Sequence, residues 1–196
     1  MPRPYCIEGH AIVSADGMIA DASGVQPPGL VVPADQELFR RGLDRSAVVA
    51  HGRFSQEPGA QQSGRKRIVL TRSIAAVAPH PRYPSGILWN PEGAPLEQAL
   101  AAVGATDGVL AVIGGTAVFG LFLEIGYDAF HLSRAGRVRL PGGRPVFPQV
   151  PGHVPEDLLA DHGLLPGPRQ ILDAAADVAL VTWTAAGGRR GSPPAV

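Results

Sequence analysis

Cysteine is almost absent. Cys6 stands alone among 196 residues, which excludes an internal disulfide framework and a thiolate cluster of the structural-zinc type. Excess charge is absent as well. Lys plus Arg and Asp plus Glu both number 17, so no global field draws the chain toward nucleic acid or an acidic membrane surface, and any ligand is held by a local site. Long hydrophobic runs are missing: the most apolar stretch, residues 108–123, is interrupted by Gly114-Gly115 and is shorter than the ~20 residues of a membrane helix. The residues from Met1 to Cys6 lack the apolar core of a secretory leader, and the expectation is a cytoplasmic protein. The six histidines show no His-x-x-x-His or carboxylate–His clustering, so no metal is expected. Three catalytic signatures are also missing. There is no Gly-x-Gly-x-x-Gly after the first strand, no Walker-type Gly-Lys-Ser/Thr and no Gly-x-Ser-x-Gly elbow, which disfavours Rossmann dehydrogenases, P-loop NTPases and the common α/β-hydrolases.

What is present is a series of short apolar runs. Ala11 to Val13, Ala47 to Ala50, Ile68 to Leu70, Ile87 to Trp89, Val109 to Ile113, Phe130 to Leu132 and Val178 to Trp183 are rich in β-formers and read as strands. Several are apolar at consecutive positions, the pattern of a mostly parallel sheet covered by helices on both faces. The spacers read as helices: Asp35 to Leu43, Pro95 to Val103, and Thr116 to Glu124 after the glycine pair. Alternating strand and helix predicts a doubly wound α/β fold in a single domain over residues 1–186. Pro27-Pro28-Gly29 and Pro141-Gly142-Gly143 read as loops, and residues 187–196, without apolar spacing, as a disordered tail.

The run Val112-Ile113-Gly114-Gly115-Thr116-Ala117-Val118-Phe119 puts two glycines where a buried strand turns into a helix. Backbone amides at such a helix start can approach a pyrophosphate closely. The same glycines also suit a tight turn or close packing, and the pair alone favours that plainer reading.

A strand ending in Val-Ile-Gly-Gly, followed by a helix carrying Val118-Phe119, resembles the cofactor-binding turn of the dihydrofolate reductases. Other segments resemble that superfamily in the same order. Ser14-Ala15-Asp16-Gly17-Met18-Ile19-Ala20 is similar to the mobile-loop entry, particularly in the reductase domain of riboflavin biosynthesis. Val32-Pro33-Ala34-Asp35 with Phe39-Arg40-Arg41 resembles the helix whose acid faces the pterin. Val48-Val49-Ala50-His51-Gly52-Arg53 looks like the strand and turn beside the adenosine phosphate of NADPH. Gly64 to Arg72, Phe130-His131-Leu132-Ser133 and Phe147-Pro148 take the places of the next matching segments. The resemblance runs from about residue 7 to residue 148. It implies a dihydrofolate reductase-like three-layer fold, NADPH bound across the sheet edge, and hydride transfer to a small pterin-like or pyrimidine-like heterocycle.

The same resemblance nominates the site. Asp35 is the expected catalytic acid, because reduction of a C=N bond needs a protonated nitrogen; an acid in a helix's first turn also serves as a cap and dipole partner, and both readings stand. Phe39, Arg65 and Ser133 are the expected substrate contacts, Phe39 with core packing as its alternative. Gly52, Arg53, Thr71, Arg72, Gly114, Gly115, Thr116, Ala117 and Val118 are the expected cofactor contacts, Arg53 and Arg72 suiting a ribose 2′-phosphate. His10, His51 and His131 read as packed strand residues. Two departures leave the substrate open: Gly29 to Val32 lack the tryptophan usual before the acid of dihydrofolate reductases, and Phe54 to Pro58 do not reproduce the Asp-Pro-Arg-Leu-Thr-like segment of riboflavin-pathway reductases. The alternatives are reduction of 5-amino-6-(5-phosphoribosylamino)uracil and a non-catalytic nucleotide-binding module of the same fold. Relatives in the riboflavin branch commonly pair through a sheet edge, so a homodimer is among the expectations.

Overall fold

The computed structural model describes residues 3–55 and 64–187. The described elements run β1 (Tyr5–Ser14), β2 (Met18–Ala20), α1 (Pro33–Asp44), β3 (Val48–Gly52), β4 (Arg67–Leu70), β5 (Val77–Pro79), β6 (Gly86–Trp89), α2 (Leu96–Val103), β7 (Gly108–Val112), α3 (Thr116–Ile125), β8 (Ala129–Ala135), β9 (Arg144–Pro145), α4 (Pro155–Asp161), β10 (Leu164–Asp173) and β11 (Val178–Ala185), with a 3-10 turn at Pro28–Leu30. All seven apolar runs lie on strands of one nine-stranded sheet, in the order β10-β11-β8-β1-β7-β3-β4-β6-β5. A two-stranded ribbon of β2 and β9 stands apart from it. Among the described residues, no helix is long and apolar enough to cross a membrane. The tail expectation falls, except for Gly187, outside the described residues.

The sheet is mixed, which corrects the expectation of a mostly parallel one. Its six central strands, β8 to β6, pair in parallel, while β11 and β10 at one edge and β5 at the other run antiparallel. β10 was hidden by Pro166-Gly167-Pro168, which reads as loop. Proline cannot donate to a ladder and is tolerated on an edge strand, and the register here shifts between Pro166 and Arg169. Pro95, expected in the first turn of α2, is its N-cap residue.

The two faces of the sheet are covered unequally. Side chains alternate along each strand, and Ile7 and Val13 of β1, Val48 and Ala50 of β3, Leu110 and Val112 of β7, and Phe130 and Leu132 of β8 meet α2, α3 and α4 in the main core. Phe119 and Phe122 of α3 are fully buried there; each such side chain contributes on the order of 1.5–3 kcal/mol. The other face receives α1 alone among the described helices. There Leu43 and Phe39 pack on Val49, Ala111 and Ile113, and Leu30 and Val32 pack on Ile12, Ala135 and Val178. One helix cannot roof nine strands, and the uncovered part of this face becomes a cavity.

Candidate active site

A single cavity of about 2100 Å³ runs from the glycine turn at the start of α3, over the α1 side of β1 and β8, to β10 and β11. Ligand pockets commonly measure ~300–1,000 Å³, so this one has room for a dinucleotide and a second small molecule together.

One end is built by two turns at the same edge of adjacent strands. β3 ends at Gly52 and β7 leads into Gly114-Gly115, and the Gly52 amide donates to the Gly114 carbonyl at 2.8 Å, fastening the turns to each other. Gly114 takes φ of 107°, and a Cβ there would lie 2.9 Å from Phe119 Cε2, so both the backbone and the packing require glycine. Gly115, the N-cap residue of α3, accepts from the amides of Val118 and Phe119 with its carbonyl. The first amides of a helix have no acceptor within it. Thr116 and Ala117, at that start, line the cavity together with Gly115, Val118, Gly52, Arg53 and Ser55. The Thr116 hydroxyl donates to the Pro145 carbonyl, tying the helix start to β9. These groups can cradle an anion.

The middle of the cavity holds Asp35, Phe39 and Ser133. Asp35 lies in the first turn of α1, where Val32 at the N-cap provides no side-chain hydrogen bond. Burial pushes the Asp35 carboxyl up from its ordinary value, and the Ser133 hydroxyl it faces draws it back only in part. Ser133 itself is fully buried on β8, in register with Ile12 of β1. A carboxyl whose proton affinity burial raises, beside a hydroxyl in a ligand-sized cavity, is placed to hold and deliver a proton. Phe39 lines the wall one helical turn farther on and meets the His10 ring edge-on at 6.2 Å.

The segment after β1 forms the rim. Gly17 turns with φ of 83°. The Asp16 carboxylate accepts from the Ser14 hydroxyl and from the Leu140 amide, contacts that hold it below its ordinary pKa. Arg134 donates to the Ala15 carbonyl at 2.8 Å while paired with Glu156 of α4. Ile19, Ala20, Ser23 and Gly24 then line the cavity mouth.

Not every nominated residue reaches the cavity. Arg65 donates to the Leu43 carbonyl at 2.9 Å and to Asp44 at 2.8 Å. It closes the C-terminal end of α1 and is not part of the cavity wall. Thr71 and Arg72 are likewise outside the wall. They follow Leu70, the register partner of Gly52, and so stand at the same sheet edge as Arg53. The Thr71 hydroxyl bonds Ser73 at 2.7 Å, and Arg72 pairs with Glu92 at 3.0 Å in solvent. Arg53 lies at the cavity wall with its guanidinium over the Phe54 ring.

The structure also gathers a group that the sequence spacing concealed. Glu8, His10 and His131, with Arg45 beside them, also line the cavity, against the expectation of no carboxylate–His clustering. The signal available was Glu8-x-His10, two polar residues on one face of a strand; His131 joins them only through the pairing of β1 with β8.

No family model and no curated protein matches the sequence. Solved structures do match its fold. A putative riboflavin biosynthesis protein from Shewanella sp. PV-4 is similar with a TM-score of 0.61 at 18% identity, over 91% of this chain and 98% of that one. A diaminohydroxyphosphoribosylaminopyrimidine deaminase/5-amino-6-(5-phosphoribosylamino)uracil reductase from Thermotoga maritima is similar with a TM-score of 0.59 at 15% identity, over 94% of this chain and 57% of that one. The dihydrofolate reductase of Enterococcus faecalis, complexed with NADP(H) and RAB-propyl, is similar with a TM-score of 0.58 at 16% identity, over 91% of this chain and 95% of that one.

Proposed function

From a chain with the dihydrofolate reductase-like fold and this cavity, we infer an NADPH-dependent reductase acting on a small pterin-like or pyrimidine-like heterocycle. The observation that carries the reading is the Asp35 carboxyl, raised in pKa beside Ser133, in the same cavity as the open start of α3. When bound, NADPH supplies the hydride. The residues present fit that cofactor. The free amides of Thr116 and Ala117 and the close-packed glycines Gly52, Gly114 and Gly115 suit its pyrophosphate. Arg53 at the cavity wall, with Thr71 and Arg72 at the end of the neighbouring strand, suits a 2′-phosphate.

The chain's own chemistry lies with Asp35. Its carboxyl, in the acid form, would supply the proton that a ring nitrogen takes up as the adjacent carbon is reduced, and the Ser133 hydroxyl would orient it. Phe39 offers a flat apolar wall on which a heterocycle can lie. Apolar residues that line the same cavity, Leu30 and Leu38 among them, limit water there, and burial raises the Asp35 carboxyl's proton affinity.

A second reading within this class is reduction of 5-amino-6-(5-phosphoribosylamino)uracil. The position of Arg65 favours it: engaged with Leu43 and Asp44, that arginine does not offer the cavity a grip for a substrate carboxylate. The test is NADPH oxidation by the purified chain with dihydrofolate and with the ribosylamino-pyrimidine. Consumption dependent on either substrate and lost in Asp35→Asn supports the reading. NADPH binding without turnover on any reducible heterocycle points instead to a non-catalytic nucleotide-binding module.

A further inference from the structure

The α1 side of the sheet carries a polar cluster that hydride transfer does not use. Glu8 and His10 alternate on β1, and the register sets His131 of β8 beside His10 and Thr182 of β11 beside His131. His131 Nε2 lies 3.5 Å and His10 Nε2 3.9 Å from the same Glu8 oxygen, and the three potential ligand atoms fall within 4.8 Å of one another. Ser133 is level with Ile12, so the cluster sits two to four residues, roughly 7–13 Å, along the strands from the Asp35–Ser133 pair.

We propose that Glu8, His10 and His131 bind one divalent transition-metal ion of the zinc class at the cavity wall. Two imidazoles and a carboxylate are the donor set such ions take. With metal–ligand bonds of ~2.0–2.2 Å, ligand atoms in a tetrahedral site stand about 3.4 Å apart, close to the two histidine–carboxylate separations here. His10 Nε2 is buried without a hydrogen-bond partner in a residue only 8% exposed, while His131 Nε2, also buried, has only the Glu8 carboxylate at 3.5 Å within reach. A buried polar atom without a partner carries a desolvation cost that a bound ion relieves. His131 Nδ1 lies 3.0 Å from the Thr182 hydroxyl; donating to that oxygen leaves the Nε2 lone pair for the ion, the arrangement by which neighbouring groups orient metal-binding histidines.

The surrounding helix fits the cluster. A Cβ at Gly42 of α1 would lie 2.6 Å from His10 Cε1, so glycine is what lets this helix pass over the ring. Arg45, at the end of the same helix, holds the Glu8 oxygen at 2.7 Å and is 43% exposed. It therefore competes with the cation for the carboxylate and has solvent to move into. The two rings stack 4.6 Å apart within 19° of parallel, and filling the site tilts one of them so that both lone pairs meet the ion. Three protein ligands leave the fourth position facing the cavity, open to water or a small anion.

The test is titration of the chelator-stripped full chain with Co²⁺, read by its visible absorption, and with Zn²⁺, read by thermal stability. The expected result is saturable binding of one equivalent, with a rise in the unfolding midpoint. Affinity should fall by roughly tenfold or more in Glu8→Gln and in His131→Ala and stay unchanged in the surface variant His162→Ala. Arg45→Ala should bind more tightly, because the competing cation is gone. Absence of a one-equivalent phase in the wild-type chain overturns the proposal without recourse to any variant. So does binding that survives in both Glu8→Gln and His131→Ala. The NADPH titration is a separate measurement, so the two readings stand or fall independently.

Discussion

Replacing Asp35 by asparagine separates the two roles open to an acid at the start of α1. If the carboxylate serves the helix, its loss removes a favourable dipole interaction worth about 0.3–1 kcal/mol at neutral pH, which for a chain of this length lowers the unfolding midpoint by roughly 1–4 °C. Burial acts on stability in the opposite direction. Burial raises the folded-state pKa of Asp35 above its unfolded value. Its ionised form is therefore the disfavoured one in the native state, and native stability is lost as pH rises through the raised pKa. The neutral asparagine escapes that loss, so the variant should match or exceed the wild-type midpoint at neutral pH. Its turnover should fall by ~10²–10⁴-fold, the span of general acid catalysis, equivalent to about 3–5 kcal/mol of barrier, with NADPH affinity unchanged. The wild-type rate of the chemical step should decline as pH rises through the Asp35 pKa, and this limb should vanish in the variant. Scanning fluorimetry, single-turnover kinetics and a pH series decide the matter. A lower midpoint with unaltered kcat would refute the catalytic assignment and leave Asp35 a helix residue.

Ser133→Ala removes the hydroxyl that draws the Asp35 pKa down; the descending limb of the pH–rate profile should move to higher pH, measured on the same single-turnover signal. Arg53→Ala should weaken NADPH by roughly tenfold or more, the scale of one charge-assisted hydrogen bond, and leave NADH nearly unchanged. Arg72, exposed and paired with Glu92, should show a smaller version of that difference in the same titration. Gly9→Ala places a Cβ 2.2 Å from Phe130 Cδ2 in the main core; overpacking of this kind costs about 1–3 kcal/mol, readable as a lower denaturation midpoint. Arg65→Ala should leave the substrate KM unchanged and reduce stability slightly, because its partners are Leu43 and Asp44 at the end of α1.

The parallel centre of the sheet was legible because β3, β4 and β7 are largely buried and carry unbroken apolar runs. The edges were not. β10 carries two prolines and mostly exposed side chains, and β2, β5 and β9 have two or three residues each, too few for any periodicity to register. α4 escaped notice as well. Its seven residues, Pro155–Asp161, bury Leu158 and Leu159 within a segment rich in polar and proline residues. At the site, the local features were readable: the glycine turn, the strand end at Gly52-Arg53 and the acid opening α1. Arg65 illustrates the limit of alignment by order, since a shared position along the chain does not say which neighbour a long side chain reaches. The Glu8, His10 and His131 cluster illustrates another, because its parts are 123 positions apart at the extremes and only strand pairing joins them.

The measurement that bears most directly on the reductase reading is the unfolding midpoint of the purified chain titrated with NADPH and, separately, with NADH. A ligand that binds only the folded state stabilises it by about 2.7 kcal/mol at one hundred times its Kd, roughly 5–11 °C for a protein of this size. The reading predicts such a rise with NADPH, a smaller one with NADH, and loss of the difference in Arg53→Ala. An unchanged midpoint with both nucleotides at millimolar concentration would contradict it.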